Sequence, residues 1–238
     1  HKHAKQWLYT LEEFAFPVIG DLAVDKVTME HILSILSPIW ANKTETASRL
    51  RGRLEWILAA ATTLRLREGP NPATWRGHLQ TILPAPKKIS KTKHFKALPY
   101  RQIPSVIYRL QELCTMGALA LEFTILNASR SGEVFGGLRS EIDDGLWTIP
   151  AERMKAKKEH RIPLSPRSLE ILAVASAMEP ESKYLFSRSN KPLSNMAMAM
   201  ILRRLKVDAT VHGFRSAFRD WASEETSHSS EVIEMALA

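Results

Sequence analysis

The 238-residue sequence predicts a mainly α-helical protein of two domains, joined by a basic linker and carrying one small antiparallel sheet. Three observations support this fold class. Residues 1–84 contain only the three-to-four-residue apolar spacing of helices. Residues 85–100, "APKKISKTKHFKALPY", are bounded by prolines and have no helical periodicity. In the otherwise helical remainder, 101–238, two strand-like segments stand close together.

The first domain is predicted to be a bundle of four helices with short connections. The first helix includes "KQWLYTLEEF", and Thr28 is expected to cap "MEHILSILSPIW". The longest helix is predicted over 44–66, and a fourth follows Asn71-Pro72. Arg49 and Arg53, four residues apart, lie off the apolar stripe of the longest helix and are candidates for contact with a polyanion.

The second domain opens with two apolar helices, the second of which runs into "LNASRSGEVFGGL". A new helix is expected near Ser131, with Glu133 in its first turn, where an acidic side chain is favoured. The strands "LWTIP" (146–150) and "HRIPL" (160–164) are predicted to form a hairpin around the basic loop "AERMKAKKE". Ser165 and Ser194 are expected to cap the next two helices, and "HGFRSAFRDWASEE" and "SSEVIEMALA" complete the domain.

The composition, 45% hydrophobic and 24% charged residues, is ordinary for a soluble globular protein, and no apolar run approaches the length of a membrane span. The single cysteine, Cys114, excludes an intramolecular disulfide and is expected to be buried. The net charge of +8 is concentrated in residues 85–100, which hold five lysines and no acidic residue. Such a run is either a solvated linker or a strap that lies along a polyanion and releases its counterions.

Four residues are candidates for chemistry: Arg130 at a helix junction, Lys155 in the hairpin loop, and His212 with Arg215 on one helix. Residues three apart on a helix are neighbours, so His212 and Arg215 can bind one ligand. Guanidinium groups bind the non-bridging oxygens of a phosphate, and a lysine on a loop can protonate a leaving oxygen. Each residue also has a structural interpretation, as a cap, a surface charge or a member of an ion pair. Chemistry alone does not separate Lys155 from the other two lysines of its loop.

The order of three segments resembles the tyrosine recombinases, in particular the phage and phage-satellite integrases. These segments are "NASRSGEV", "IPAERMKAKKEHRIPLS" and "VHGFRSAFRDWASEE". The first half, with "FPVIGDLAVDKVT", "ETASRLRGRLEWIL" and "NPATWRGHL", is similar to the core-DNA-binding domain of that subfamily. The resemblance implies a core-binding domain over 1–84, a linker over 85–100 and a catalytic domain over 101–238. One departure is Asn127, where these proteins often have threonine.

The resemblance also implies a role for each site residue. Arg130 and Arg215 would bind the scissile phosphate, Lys155 would protonate the departing 5′ hydroxyl, and His212 would assist proton transfer. Glu133 would steady the arginines from behind. A tyrosine would attack the phosphate to form a 3′-phosphotyrosyl link, with no metal and no cofactor. Beyond the active site, the residues expected to contact DNA are Arg49, Arg53, Lys87, Lys88, Lys91, Lys93, Lys96 and Arg219.

The expected partners are double-stranded DNA at attachment sites and, for the full-length protein, three further copies in a tetramer on DNA. A host DNA-bending protein and an excisionase are further candidates. No membrane association is expected, and the implied location is the bacterial cytoplasm, at the nucleoid.

The expected nucleophile is absent from this sequence. Its tyrosines are Tyr9, Tyr100, Tyr108 and Tyr184, and all precede the segment in which the family places the attacking residue. We therefore expect the family's last histidine and its tyrosine beyond Ala238, and we expect this chain to bind DNA without cleaving it. Two alternatives remain: a non-catalytic DNA-binding regulator that kept the fold, and a tyrosine-linked topoisomerase.

Overall fold

A computed structural model describes residues 2–89 and 95–237, with side chains from residue 4 onwards. The chain divides into two compact units, His1–Lys93 and His94–Ala238. Lys91 and Lys93, two of the predicted DNA contacts, lie outside the described residues. Among the residues that are described, no helix combines the length and the apolar character that a bilayer span demands.

The first unit is helical, as predicted. Its helices are α1 (Lys2–Thr10), α2 (Phe16–Ile19), α3 (Met29–Trp40), α4 (Thr44–Thr63) and α5 (Pro86–Ile89). A π-helical turn, Leu11–Ala15, joins α1 to α2. The helices α3 and α4 share a core in which Ile32, Leu36 and Leu50 are fully buried. As predicted, α3 begins directly after Thr28.

The fourth helix predicted after Pro72 does not form. The segment is a series of turns with one short 3-10 helix, Leu79–Thr81. Gly77 adopts a left-handed backbone with φ of 68°, which interrupts a right-handed helix. Trp75 stacks on Trp40 at 5.6 Å, and the Trp40 indole donates to the Pro84 carbonyl at 2.9 Å. These contacts hold the segment against the core without a helix.

The second unit is a helical domain with a small sheet. Its helices are α6 (Ile103–Leu113), α7 (Met116–Leu126), α8 (Ser131–Phe135), α9 (Pro166–Met178), α10 (Ala197–Arg204), α11 (Gly213–Glu225) and α12 (Ser230–Leu237). The strands are β1 (Ile142–Asp143), β2 (Leu146–Ile149), β3 (His160–Pro163), β4 (Ser187–Arg188) and β5 (Lys191–Pro192). At the centre of the core, the rings of Trp147 and Phe186 each lie 5.4 Å from that of Phe123, which is on the almost entirely buried α7.

The predicted hairpin is confirmed. The strands β2 and β3 pair antiparallel, with Ile149 opposite His160 and Leu146 opposite Pro163. The short strand β1, which the sequence did not predict, pairs with β2 to complete a three-stranded sheet in the order β1-β2-β3. The strands β4 and β5 form a separate two-stranded pair.

Three finer predictions have different outcomes. Ser165 caps α9, because its side chain accepts the Ser168 N–H at 3.2 Å. The predicted Ser194 cap is wrong, because α10 begins three residues later and Met196 precedes its first turn. The prediction for Cys114 is also wrong, because this residue ends α6 in a left-handed conformation that leaves it exposed.

Candidate active site

Arg130 precedes α8 directly and is held by the carboxylate of Glu133. The Arg130 backbone N–H donates to Glu133 Oε2 and the Arg130 Nη1 to Glu133 Oε1, each at 2.8 Å. The Glu133 side chain is only 6% exposed, whereas that of Arg130 is 31% exposed. A carboxylate in the first turn of a helix is stabilised by the helix dipole. Glu133 therefore fixes the start of α8 and the direction of the Arg130 side chain together.

Arg215, in the first turn of α11, is buried and binds two backbone carbonyls. Its Nη1 donates to the Ala128 carbonyl at 2.5 Å, and its Nη2 donates to the carbonyl of Leu237, the last residue of α12. Ala128 has a left-handed backbone and stands two residues before Arg130. Arg215 therefore holds the turn that presents Arg130 and, through a favourable charge–dipole contact, the C-terminal end of α12.

The charges of Arg130 and Glu133 both act on the guanidinium group of Arg215. Burial is the main cause that lowers the pKa of the Arg215 guanidinium, and the positive charge of Arg130 lowers it further, whereas Glu133 and Glu234 raise it. An arginine remains protonated under all relevant conditions. Two guanidinium groups whose charges act on each other, one of them paired with a carboxylate, are suited to bind an anion with several oxygens, such as a phosphate diester.

His212 joins the same cluster from the residue before α11. Although part of the residue is exposed, burial of the ring lowers its pKa, and the charges of Arg215 and Arg130 lower it further. The Phe95 ring lies edge-on to the imidazole, with 4.8 Å between the ring centroids. The imidazole is consequently neutral near pH 7, which allows it to accept one proton and donate another.

His160, on β3, is a member of the cluster that the sequence analysis missed. Burial lowers the pKa of His160, Glu133 raises it, and Arg215 and Arg130 lower it. The residues that influence His160 therefore include both arginines. A lone histidine in a four-residue strand gives no distinctive pattern. The only feature of the sequence that could have indicated a role for His160 is its place in β3, the strand that follows the lysine loop.

Lys155 lies at the exposed tip of the hairpin loop. It occupies a turn closed by a hydrogen bond from the Lys157 N–H to the Met154 carbonyl, at 3.2 Å. The buried Met154 anchors this turn in the core. In the described part of the chain, the charges that shift the histidines and Arg215 do not include Lys155. The structure therefore brings Arg130, Arg215 and His212 together and places Lys155 on a separate, accessible loop.

The predicted DNA contacts of the first unit have different environments. Arg53 is a correction, because it is only 6% exposed. Its guanidinium donates to the Gln6 carbonyl at 3.0 Å and to the Thr10 hydroxyl, and lies 5.5 Å from the Trp7 ring. Its guanidinium is therefore directed into the core of the first unit, toward α1. Arg49 remains exposed and pairs with Glu45.

Of the remaining predicted contacts that the structure describes, Lys87, Lys88, Lys96 and Arg219 are exposed to solvent. Lys87 and Lys88 lie exposed on α5. In the second unit, Lys96 pairs with Asp208 at 2.8 Å, and Arg219 pairs with Glu234 at 2.9 Å. Exposed ion pairs of this kind contribute little to stability.

Comparison with known proteins relates both units to one family. Residues 1–78 match the phage integrase central domain family. The chain is 30% identical over 244 residues to the prophage integrase IntZ of Escherichia coli (strain K12), which covers 99% of the chain and 58% of IntZ. It is 26% identical over 260 residues to the integrase of Enterobacteria phage P4, which covers 99% of the chain and 57% of that protein. The chain thus spans little more than half the length of these relatives.

The fold is also that of a solved integrase. The structure of a lambda integrase tetramer bound to a Holliday junction matches with a TM-score of 0.73 at 16% identity, over 100% of this chain and 71% of that one. Together, these matches support a tyrosine recombinase of the phage type: nearly the whole chain is similar to phage and prophage integrases, and residues 1–78 match the central domain of the phage integrases.

Proposed function

We propose that this chain supplies the DNA-binding surface and the phosphate-activating groups of a site-specific DNA recombinase, which integrates or excises a prophage or another mobile element. The observation that carries the proposal is the convergence of Arg130 and Arg215 from distant segments: Arg215 binds the carbonyl of Ala128, two residues before Arg130, and Arg130 pairs with Glu133. Preorganised positive charge of this kind stabilises the transition state of phosphoryl transfer most strongly.

In the proposed reaction, Arg130 and Arg215 bind the non-bridging oxygens of the scissile phosphate. A tyrosine oxygen attacks the phosphorus, the bond to the 5′ oxygen breaks, and the Lys155 ammonium gives its proton to that oxygen. The products are a 3′-phosphotyrosyl link and a free 5′ hydroxyl. Attack by another 5′ hydroxyl reverses the step and joins new strands. His212, neutral near pH 7, moves a proton at the nucleophile.

The proposal places the nucleophile in protein sequence beyond Ala238, because no tyrosine of this chain follows Arg215. The chain by itself is then expected to bind DNA without cleaving it. The proposed partners are attachment-site DNA and further copies of the protein. A tetramer is suggested by the lambda integrase structure on a Holliday junction. A host DNA-bending protein, an excisionase and a location at the bacterial nucleoid belong to the same proposal.

The test uses the protein continued through its own reading frame beyond Ala238. In a DNA substrate nicked close to the cleavage site, the short fragment that carries the new 5′ hydroxyl dissociates after attack. It can no longer reverse the step, so the covalent protein–DNA adduct accumulates and is seen on a denaturing gel. We expect an adduct from the continued protein, none from the 238-residue chain, and none after Arg215→Ala. Arg203→Ala, which removes an exposed arginine of α10, is the matched control and should leave the adduct yield unchanged.

A continued protein that binds its site but forms no adduct would contradict the proposal in favour of the non-catalytic regulator. A continued protein that relaxes supercoiled DNA without exchanging strands between two sites would favour the topoisomerase instead.

The basic segment is proposed to lie along the DNA backbone. Replacement of its five lysines, 87, 88, 91, 93 and 96, by glutamine should weaken binding to all DNA sequences alike. The dependence of log affinity on log salt should fall by about 0.9 for each phosphate contact that is lost. Fluorescence anisotropy over a salt series measures this slope for the 238-residue chain. An unchanged slope would show that the segment does not touch phosphates.

A further inference from the structure

Arg153 joins the hairpin loop to the helix that carries Glu133. It ends the 3-10 turn Ala151–Arg153, which follows β2. Its Nη1 donates to both carboxylate oxygens of Glu141, and its Nη2 donates to the backbone carbonyl of Glu133. The side chains of Arg153 and Glu141 are 21% and 8% exposed, so this contact is largely shielded from water.

Glu141, the acidic partner of Arg153, is itself held in place. Glu141 also accepts the indole N–H of Trp147 at 3.0 Å, and Trp147 is fully buried in the sheet. The carboxylate therefore cannot move without disturbing the core. The other end is close-packed as well, because a Cβ at Gly136 would lie 3.2 Å from Arg153 Nη2. The guanidinium fills a defined slot between the sheet and α8.

Arg153 stands directly before the part of the hairpin loop that carries Lys155, so its contacts restrain that loop. Lys155 follows Arg153 by two residues, and the residue between them, Met154, is buried. The Glu133 carbonyl that Arg153 holds belongs to the residue whose carboxylate holds Arg130. One guanidinium therefore fixes the root of the lysine loop relative to the helix that presents the first arginine.

We propose that Arg153 is a positioning residue that sets the reach of Lys155 toward the scissile phosphate. This inference rests on the proposed function, in which Lys155 protonates the leaving 5′ oxygen. An exposed lysine on a turn has many orientations, and catalysis by a proton donor requires hydrogen-bond reach. Anchoring the turn directly before Lys155 narrows that range. A lysine at position 153 would keep the charge opposite Glu141, but its single ammonium cannot reproduce the planar fork that spans Glu141 and the Glu133 carbonyl.

The chemistry of the leaving group separates this role from a merely structural one. In ordinary DNA, the departing 5′ alkoxide must take a proton as its bond to phosphorus breaks. When sulfur replaces the bridging 5′ oxygen, the group departs as a thiolate and needs no proton, because a thiol is far more acidic than an alcohol. A defect in the position of Lys155 is therefore relieved by the sulfur substrate. A defect in phosphate binding or in folding is not.

The experiment measures single-turnover cleavage of the oxygen and sulfur substrates by the protein continued beyond Ala238. Arg153→Lys should slow cleavage of the oxygen substrate by about 10- to 100-fold, the loss expected for a misplaced catalytic group. It should cleave the sulfur substrate within a few-fold of the unsubstituted protein. Arg139→Lys is the matched control, because Arg139 also binds two backbone carbonyls, those of Glu179 and Pro180, away from the loop. It should behave like the unsubstituted protein on both substrates.

The inference is overturned if Arg153→Lys loses equal activity on both substrates, or loses none. Lys155→Ala tests the foundation separately: if sulfur fails to rescue that variant, the assignment of Lys155 as the acid is wrong. DNA affinity and the thermal midpoint of each variant are measured alongside. If Arg153→Lys is unfolded at the assay temperature, Glu141→Gln, which loosens the same guanidinium, is judged by the same two outcomes.

Discussion

Replacement of Gly213 by alanine tests how tightly segment 95–97 packs against the start of α11. A Cβ built at Gly213 would lie 2.1 Å from the Lys96 carbonyl oxygen and 2.9 Å from Ala97 Cα. A carbon and an oxygen need roughly 3.3 Å. The segment would therefore have to move by more than an ångström, and both obstructing atoms belong to the backbone, so no side-chain rotation relieves the clash.

The expected change in stability follows from two opposing contributions. The Lys96 carbonyl accepts the Thr210 N–H at 2.9 Å and the Thr210 hydroxyl at 3.2 Å. Loss of both bonds destabilises by about 2 kcal/mol, since each contributes about 1 kcal/mol. Alanine favours a helix over glycine by at most about 1 kcal/mol. The net loss is about 1 kcal/mol or more, which lowers the thermal midpoint by roughly 2–4 °C per kcal/mol in a domain of this size.

Gly52→Ala is the control for this prediction. Gly52 lies inside α4, and a Cβ there meets nothing within 4 Å, so the helix preference acts alone. That variant should be stabilised by about 0.5–1 kcal/mol. Scanning calorimetry of the 238-residue chain measures both midpoints. If Gly213→Ala raises the midpoint as much as Gly52→Ala does, the close approach of segment 95–97 does not exist in solution.

Two further predictions concern the two histidines of the site and a buried carboxylate. His160 and His212 have lowered pKa values in the folded protein, so the unfolded chain takes up protons first as the pH falls below about 6.5. Their contribution to stability is therefore complete above that pH and is lost as the pH falls below it. Urea unfolding measured between pH 5 and pH 8 should show a free energy of unfolding that depends less steeply on pH after either histidine is replaced by glutamine, and an unchanged slope in both variants would contradict this prediction. Separately, the fully buried Glu122 binds Arg167 at 2.8 Å, so Glu122→Gln should reduce the free energy of unfolding by about 1–3 kcal/mol. It should leave DNA affinity unchanged, and a loss of affinity at equal stability would contradict this structural role.

The elements that periodicity defines could be predicted from the sequence. The hairpin of β2 and β3, the start of α8 near Ser131 and the cap at Ser165 are each encoded within a few residues. The helix expected after Pro72 failed because its apolar residues also satisfy a set of turns, and the turns were selected by distant partners such as Trp40.

The site was harder to predict, because its contacts depend on packing between distant segments. Arg53 is polar and off the apolar stripe of α4, so its burial follows only from the way α1 crosses that helix. Arg153 and His160 have no neighbours in the sequence that distinguish them from the other polar residues of the hairpin. Their partners, Glu141 and the paired arginines, are brought close only by the fold.

The contact between Arg215 and the Leu237 carbonyl couples the position of α12 to the position of the Arg215 side chain. Two of the five guanidinium N–H donors hold backbone carbonyls, one in the turn before Arg130 and the other at the end of α12. By reciprocity, anything that favours the present position of α12 also favours the present position of Arg215, and a ligand that holds Arg215 in place favours that position of α12 to the same degree. One buried side chain thus connects the end of α12 to the turn before Arg130.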